Sequence, residues 1–331
     1  MLYFRDCKHP KGEAIADFAA TSLPEGTIWI DLFSPTPEEV HLVEKLTELS
    51  LPTIDSLSEI ESSSRLHTEN GVLFMSAPLV SRATSNSPEV TPIGFILTRK
   101  ILVTIRYAEM SSFDTFHERM TMSGSFHQSS PGVFVGLVDT ILDRMADILE
   151  RVGDELAILS KRTFRSDHLT PSNGNRASKE AIDMRAILRR IGRAGDLASS
   201  IRDSLLGVNR MVAYMAGLTD EWTPVEVKPY IKTLRDDAVS LNDYVTHLNN
   251  KVQLLLDATL GLINIEQNNT FRILTIVSVV GIPPTLIASM YGMNFKYMPE
   301  LSWAWGYPWG LGLIAVSAII PLIWFKIRGW N

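Results

Sequence analysis

The chain of 331 residues is poor in several things, and each shortage removes a class of protein. It has one cysteine, Cys7, so no intrachain disulfide and no paired-cysteine metal or redox motif can form. It has no excess of positive charge: 31 Lys and Arg stand against 37 Asp and Glu, a net charge of −6. Phosphate contact needs a clustered basic face, so nucleic acid is not an expected partner. No P-loop, no GxGxxG and no HExxH is present, and His117-Glu118 has no second histidine four residues on. Nothing therefore points to an enzyme or to an ATP-driven pump, and no covalent cofactor is expected. The first 14 residues hold no apolar run, so they do not read as a signal peptide.

The most informative shortage is local. Residues 273–291 and 301–325 contain no charged side chain at all. As helices these runs would be roughly 28 and 37 Å long, enough to cross a hydrocarbon core of about 30 Å. Residues 271–331 carry only Arg272, Lys296, Lys326 and Arg328 against Glu300, which leaves −9 for residues 1–270. Arg272 precedes the first run, and Lys326 and Arg328 follow the second. The excess of Lys and Arg at the outer ends of this hairpin predicts that both termini are cytoplasmic. Five of the seven tryptophans fall in the last 29 residues, with Trp303, Trp305 and Trp309 near one interface and Trp324 and Trp330 near the other. The expected location is the plasma (inner) membrane, with a large acidic part in the cytoplasm.

The rest of the chain divides by period. Residues 1–125 read as a mixed α/β domain, with strands at 27–32, 71–80, 92–98 and 101–107. Asn70-Gly71 signals a hairpin turn, and Arg99-Lys100 a tight connection. Thr36, Pro37 and Glu39 form a helix start, running to about Leu49, and a second helix covers 53–60. Residues 126–224 read as a helical hairpin with its turn at 168–178. Residues 225–271 form a stalk in which Leu234, Ala238, Leu241, Val245, Leu248, Val252, Leu255, Thr259 and Leu262 alternate at four and three. The stalk has no proline before Pro283, so one helix of about 65 residues should run on into the first membrane span, 272–292. An outer loop at 293–303, a second span at 304–325 and a basic tail at 326–331 complete the reading. The fold class is thus an α+β cytoplasmic domain, a long helical stalk and two C-terminal transmembrane helices.

A single hairpin encloses no pore, but several copies around an axis do if the first span lines it. That span offers Thr275, Ser278, Thr285 and Ser289, with Asn268 and Asn269 just before it. Hydroxyl, amide and carbonyl oxygens are hard ligands suited to Mg²⁺, which keeps its water. The same Ser and Thr would equally serve plain helix packing.

Residues 291–301, Tyr-Gly-Met-Asn-Phe-Lys-Tyr-Met-Pro-Glu-Leu, resemble the signature of the CorA family of divalent metal-ion transporters. The resemblance implies a homopentamer with a CorA-like funnel, embedded in the lipid bilayer and gated by cytosolic divalent cation. It implies an outer selectivity ring of Gly292, Met293 and Asn294, with the Asn294 amide and the Gly292 carbonyl facing the hydrated ion; Met293 reads equally as loop packing. Thr285 would be a polar ring, Ile282 and Leu274 a hydrophobic constriction, and Asn268 an inner polar ring. With Thr275, Ser278 and Ser289 these line the pore, and Lys326 and Arg328 form a basic collar. Asp236 and Asp237 would hold a regulatory Mg²⁺; the acidic stripe Asp139, Asp143, Asp147, Glu150 and Asp154 is either a solvated face or a cation-sensing one. Three positions depart from the family pattern: Lys296 stands where an acid is common, Ile282 where a Met is common, and Pro283-Pro284 doubles the proline. The implied cargo is Mg²⁺, with Co²⁺ or Ni²⁺. Two other readings stay open: a zinc transporter of the same superfamily, proton-coupled, and a membrane-anchored sensor or scaffold without transport.

Overall fold

The computed structural model describes residues 1–5, 13–14, 22–59, 61–82, 88–122, 128–164, 174–219, 221–294, 296 and 298–328. Contacts divide the chain into two units, 1–165 with 187–256 and 166–186 with 257–331.

The first unit is built on a seven-stranded sheet. Its strands are β1 (Leu2–Arg5), β2 (Glu13–Ala14), β3 (Trp29–Phe33), β4 (Leu66–Glu69), β5 (Val72–Ser81), β6 (Glu89–Leu97) and β7 (Leu102–Arg106). They lie in the order β2-β1-β3-β7-β6-β5-β4. Only β3 and β7 are parallel. The β4–β5 hairpin turns at Asn70 and Gly71, both at positive φ (51° and 79°), the conformation this dipeptide favours. Between β6 and β7 the Thr98 amide donates to the Ile101 carbonyl, closing the tight turn read at Arg99-Lys100.

One face of the sheet carries Leu2, Phe4, Ile30, Leu32, Val103 and Ile105 against α1 (Pro37–Thr47) and α2 (Ile54–Ser58). The start of α1 is fixed by the expected capping box: the Thr36 hydroxyl accepts from the Glu39 amide, and the Glu39 carboxylate accepts from the Thr36 amide. A single turn, α3 (Ser62–Arg65), leads into β4.

The opposite face is covered by α4 (Ser111–Met122) and α5 (Ser130–Thr163). It holds a buried polar cluster. Asp31 is fully buried, and Arg5 and Arg106 nearly so. Arg106 donates from Nε and Nη2 to the Asp31 carboxylate at 3.2 and 3.0 Å. Thr104 Oγ1 donates to Asp31 at 2.9 Å and accepts from Trp29 Nε1 at 2.9 Å. Arg5 stacks 4.4 Å over the Trp29 ring, and its Nη2 stands 3.7 Å from Asp31. Burial, opposed by Asp31, pushes the Arg5 guanidinium down to about 10. One carboxylate thus ties together three strands, β1, β3 and β7.

Helix α6 (Gly174–Leu218) and the first part of α7 (Lys228–Tyr291) pack on α5. Leu234, Ala238, Val245, Leu248, Val252 and Leu255 of the four-three seam are buried, as that spacing requires. The close approach is set by small residues. A Cβ on Gly153 of α5 would lie 2.5 Å from the Tyr244 hydroxyl, and one on Gly195 of α6 would lie 3.1 Å from Val252.

The second unit contains the rest of α7, a 3-10 turn at Pro299–Ser302 and α8 (Gly306–Ile327). Helix α7 is 64 residues long and stays helical through Pro283 and Pro284.

Several elements differ from the sequence expectation. Residues 174–178, read as part of a turn, are helical from Gly174; the remainder of that turn, 168–173, lies outside the described residues. Strand β6 begins at Glu89, ahead of Pro92, because Pro92 pairs opposite Pro78. Strands β1, β2 and β4 and helix α4 were not expected: the strands have two to four residues, too few to show alternation, and α4 is rich in Ser, Thr and His.

Asp31→Ala should lower the unfolding free energy by about 3–5 kcal/mol, because it leaves two buried guanidinium groups without their counterion. Arg82→Ala, at an exposed pair with Glu89, should cost less than about 1 kcal/mol. Denaturant midpoints of the detergent-solubilised chain by far-UV circular dichroism distinguish the two.

Candidate functional site: an uncharged polar stripe on a membrane-length helix

Helices α7 and α8 each contain an 18-residue window of mean hydropathy 2.0, long and apolar enough to cross a membrane. In α7 that window is entirely unburied within the chain. Hydrocarbon would leave no partner for free backbone groups, so a charge-free stretch placed there has to be helical.

The side chains expected at a pore share one side of α7. Asn268, Thr275, Ser278, Ile282, Thr285, Ser289 and Gly292 follow a spacing of three and four, with Phe271 filling the gap between Asn268 and Thr275. Leu274 flanks this stripe. The stripe is exposed except at Ser278, which is half-buried. Ile282, Thr285 and Ser289 line a shallow groove of about 440 Å³, which the missing side chain of Gly281 helps to open.

The hydroxyls are oriented. Thr275 Oγ1 donates to the Phe271 carbonyl at 2.8 Å, and Thr285 Oγ1 to the Gly281 carbonyl at 2.8 Å. With the proton spent on its own helix, each hydroxyl presents lone pairs outward, the polarity a cation or its water accepts. Two more acceptors went unnoticed in the sequence. Pro283 and Pro284 lack the N–H that the Val279 and Val280 carbonyls would bind four residues earlier. The doubled proline was the signal for them.

The helix ends at Tyr291, where the Gly292 amide donates to Ala288 and the Met293 amide to Met290. Gly292, Met293 and Asn294 are exposed beyond it. A Cβ on Gly292 would lie 3.3 Å from the Ala288 carbonyl, so a side chain fits there only with strain. Past the loop, Gly306 opens α8 against the Glu300 carbonyl, and any Cβ there would overlap it. At the far end Lys326 is exposed, while the Arg328 guanidinium lies 5.0 Å over the Trp324 ring of its own helix. Of the two collar residues, Arg328 is therefore partly occupied.

The first unit brings the acidic residues of α5 and α7 within reach of each other. Arg119 of α4 binds Asp139 at 3.4 Å and Asp143 at 3.0 Å. Desolvation raises the Asp139 carboxyl above its ordinary value; Asp143 and Asp237 add to the rise, and Arg119 opposes it. Asp236 and Asp237 are exposed on α7. Among the described residues, no three His, Cys, Asp or Glu side chains converge closely enough to hold a metal ion. Within one chain these carboxylates do not form a closed Mg²⁺ site.

A large acidic α/β unit, with two membrane-length helices of which one bears a stripe of neutral oxygens, defines a membrane transport protein. The sequence profile of the family described as CorA-like Mg²⁺ transporter protein matches residues 24–327. The magnesium transport protein CorA of Wolinella succinogenes is 32% identical over 320 residues, 95% of this chain and 95% of that protein. Its counterpart in Haemophilus influenzae is 29% identical over 303 residues, 92% of each. The solved CorA magnesium transporter of Methanocaldococcus jannaschii shares the fold, with a TM-score of 0.73 and 19% identity over 100% of this chain and 99% of that one. The chain belongs to the CorA-like Mg²⁺ transporter family.

A carboxyl raised in the folded state favours folding while protonated and loses that contribution as pH rises from the ordinary carboxylate value through the raised one. Asp139→Asn should therefore raise the thermal midpoint at pH 7 in metal-free buffer. The difference from the parent should shrink below about pH 4, where Asp139 is protonated in both states. Melting curves between about pH 3 and 7 check this.

Proposed function

We propose that five copies of this chain surround an axis lined by α7 and conduct hydrated Mg²⁺, with Co²⁺ and Ni²⁺ as lesser cargo, into the cytoplasm. The single observation that carries this reading is the stripe from Asn268 to Gly292, neutral along its length and outward-accepting at Thr275 and Thr285. A hydrated dication holds its water firmly, so oxygen acceptors that hydrogen-bond that water suit it better than a cage that strips it. Gly292, Met293 and Asn294 form the outer ring in this reading. Ile282 and Leu274 form the constriction that closes by dewetting. Asn268 faces the inner exit, within the collar of Lys326 and Arg328.

The energetics need no nucleotide. About 2.3 kcal/mol per charge per 100 mV gives roughly 4.6 kcal/mol for an inward-moving dication. The charge asymmetry of the flanks supports an inner-membrane location with both termini cytoplasmic.

Control by cytosolic Mg²⁺ follows from the acidic faces. Asp236 and Asp237 of one copy would need carboxylates of the next copy to complete a site, since the described residues of one chain supply no closed set. With the ion bound, like charges on adjoining copies are neutralised and the closed state is favoured; without it they repel. Lys296, exposed in the outer loop, lowers the concentration of any dication at the mouth, so zinc is tested beside magnesium.

Asn294→Ala should abolish Mg²⁺ uptake into proteoliposomes while the oligomer retains its mass in detergent. Unchanged uptake would remove Asn294 from the filter. A monomeric mass for the parent protein would remove the pore itself. Parallel flux of Zn²⁺ with and without a pH gradient separates the two cargo readings.

A further inference from the structure

One half-open pocket lies outside the transport reading. It sits in the first unit, between the end of β5, the start of α4 and the middle of α5, and measures about 290 Å³. That is the lower end of the range for ligand pockets, about 300–1,000 Å³, and sets the scale of what could enter.

The floor is hydrocarbon. Leu79, Ile141, Met145 and Ile148 line it, and each is 4% exposed or less. The rim carries both signs of charge: Glu109 and Asp114 from the α4 side, Arg82 from β5 and Arg144 from α5. Arg82 is engaged by Glu89 at 3.2 Å. Arg144 reaches Asp147 only at 4.0 Å. Neither Glu109 nor Asp114 forms an ion pair among the described residues. In the first turn of α4, Ser112 is 7% exposed and lines the same space. No hydrogen bond of its hydroxyl is made among the described residues. Lining a half-open pocket, that hydroxyl is reached by water and offers a ligand's polar group a hydrogen bond.

We propose that this cavity binds a small zwitterion with an apolar body, the chemistry of a free aliphatic α-amino acid. The alternatives each leave part of the lining unmatched. A hydrated metal ion would face carbon on the floor and guanidinium groups on the rim. A plain hydrocarbon would satisfy neither Ser112 nor the charges. A simple amine would leave Arg144 and the positive end of α4 unused, and a simple acid would leave Glu109 and Asp114 unused. An amino acid matches all of them. Its carboxylate goes to Arg144, the Ser112 hydroxyl and the α4 N-terminus, where an anion is favoured. Its ammonium goes to Glu109 and Asp114, and its aliphatic chain covers the floor. The site is independent of the α7 stripe, so a cytosolic metabolite would have a seat in the domain whatever ion the protein carries.

Three ligands with one carbon body decide the matter: L-leucine, isoamylamine and 4-methylpentanoate, which carry both charges, the positive one and the negative one. They are titrated into the full-length detergent-solubilised protein by calorimetry, with thermal unfolding alongside. L-leucine should bind saturably and raise the unfolding midpoint with concentration. Each singly charged analogue should bind at least about tenfold more weakly. Ser112→Ala and Glu109→Gln should each weaken L-leucine by about tenfold without altering the circular dichroism of the free protein. The rim position of Glu109 and the isosteric change keep that variant folded. Absence of saturable L-leucine binding overturns the proposal. So does equal binding of either analogue, or L-leucine binding that both variants leave unchanged.

Discussion

A backbone in hydrocarbon has nothing to bond with but itself, and this constraint shapes everything the protein can offer an ion. Residues 273–291 must be helical, and helix formation consumes nearly every amide and carbonyl they possess. What remains for chemistry is a short inventory: side-chain hydroxyls, the carbonyls freed by Pro283 and Pro284, and the groups beyond Tyr291 where the helix has ended. The hydroxyls of Thr275 and Thr285 are themselves turned by the helix, each donating to a carbonyl one turn back. The backbone thus decides not only where the polar atoms lie but which way their dipoles point.

The first unit handles charge by burial and by exposure, and the two cases differ in consequence. Asp31 sits fully buried between two arginines and a threonine hydroxyl, so its charge is matched and the cluster locks β1, β3 and β7 in register. Asp139 and Asp143 share one arginine, Arg119, at the surface of the same unit, with Asp237 in electrostatic range of Asp139. Burial raises the proton affinity of Asp139 first of all, and the neighbouring Asp143 and Asp237 add to the rise against Arg119. The two clusters differ in the ratio of acids to bases and in the access of water.

Legibility followed the length and regularity of each pattern. The two apolar runs, the capping box at Thr36, the Asn70-Gly71 turn and the four-three seam of α7 are long or chemically specific, and each appears where it was read. Strands β1, β2 and β4 span too few residues for alternation to register. Helix α4 was hidden because Ser111, Ser112, Thr115 and Thr121 are weak helix formers, and the packing of Phe113 and Phe116 against Trp29 overrides them. The shared stripe of Asn268 to Gly292 was readable as a set of polar residues. Its orientation was not, because hydroxyl direction depends on which carbonyl lies one turn below. The neighbourhood of Asp139 and Asp237, about a hundred residues apart, is a tertiary fact with no local signal.

Two features of the outer mouth bear on the cargo, and their ranges differ. Lys296 acts through its field, which lowers the concentration of any dication nearby, magnesium and zinc alike. At physiological ionic strength that field fades over about 8 Å. Donor chemistry acts at contact and discriminates between ions. Zinc favours imidazole and thiolate, and the stripe contains neither: no histidine or cysteine lies between Asn268 and Gly292. The soft atoms near the mouth are the thioethers of Met290, Met293 and Met298, and a thioether is a weak acceptor. A screened charge that treats both ions equally cannot reverse a preference written in the ligands, so neutral oxygen favours the hard, hydrated ion.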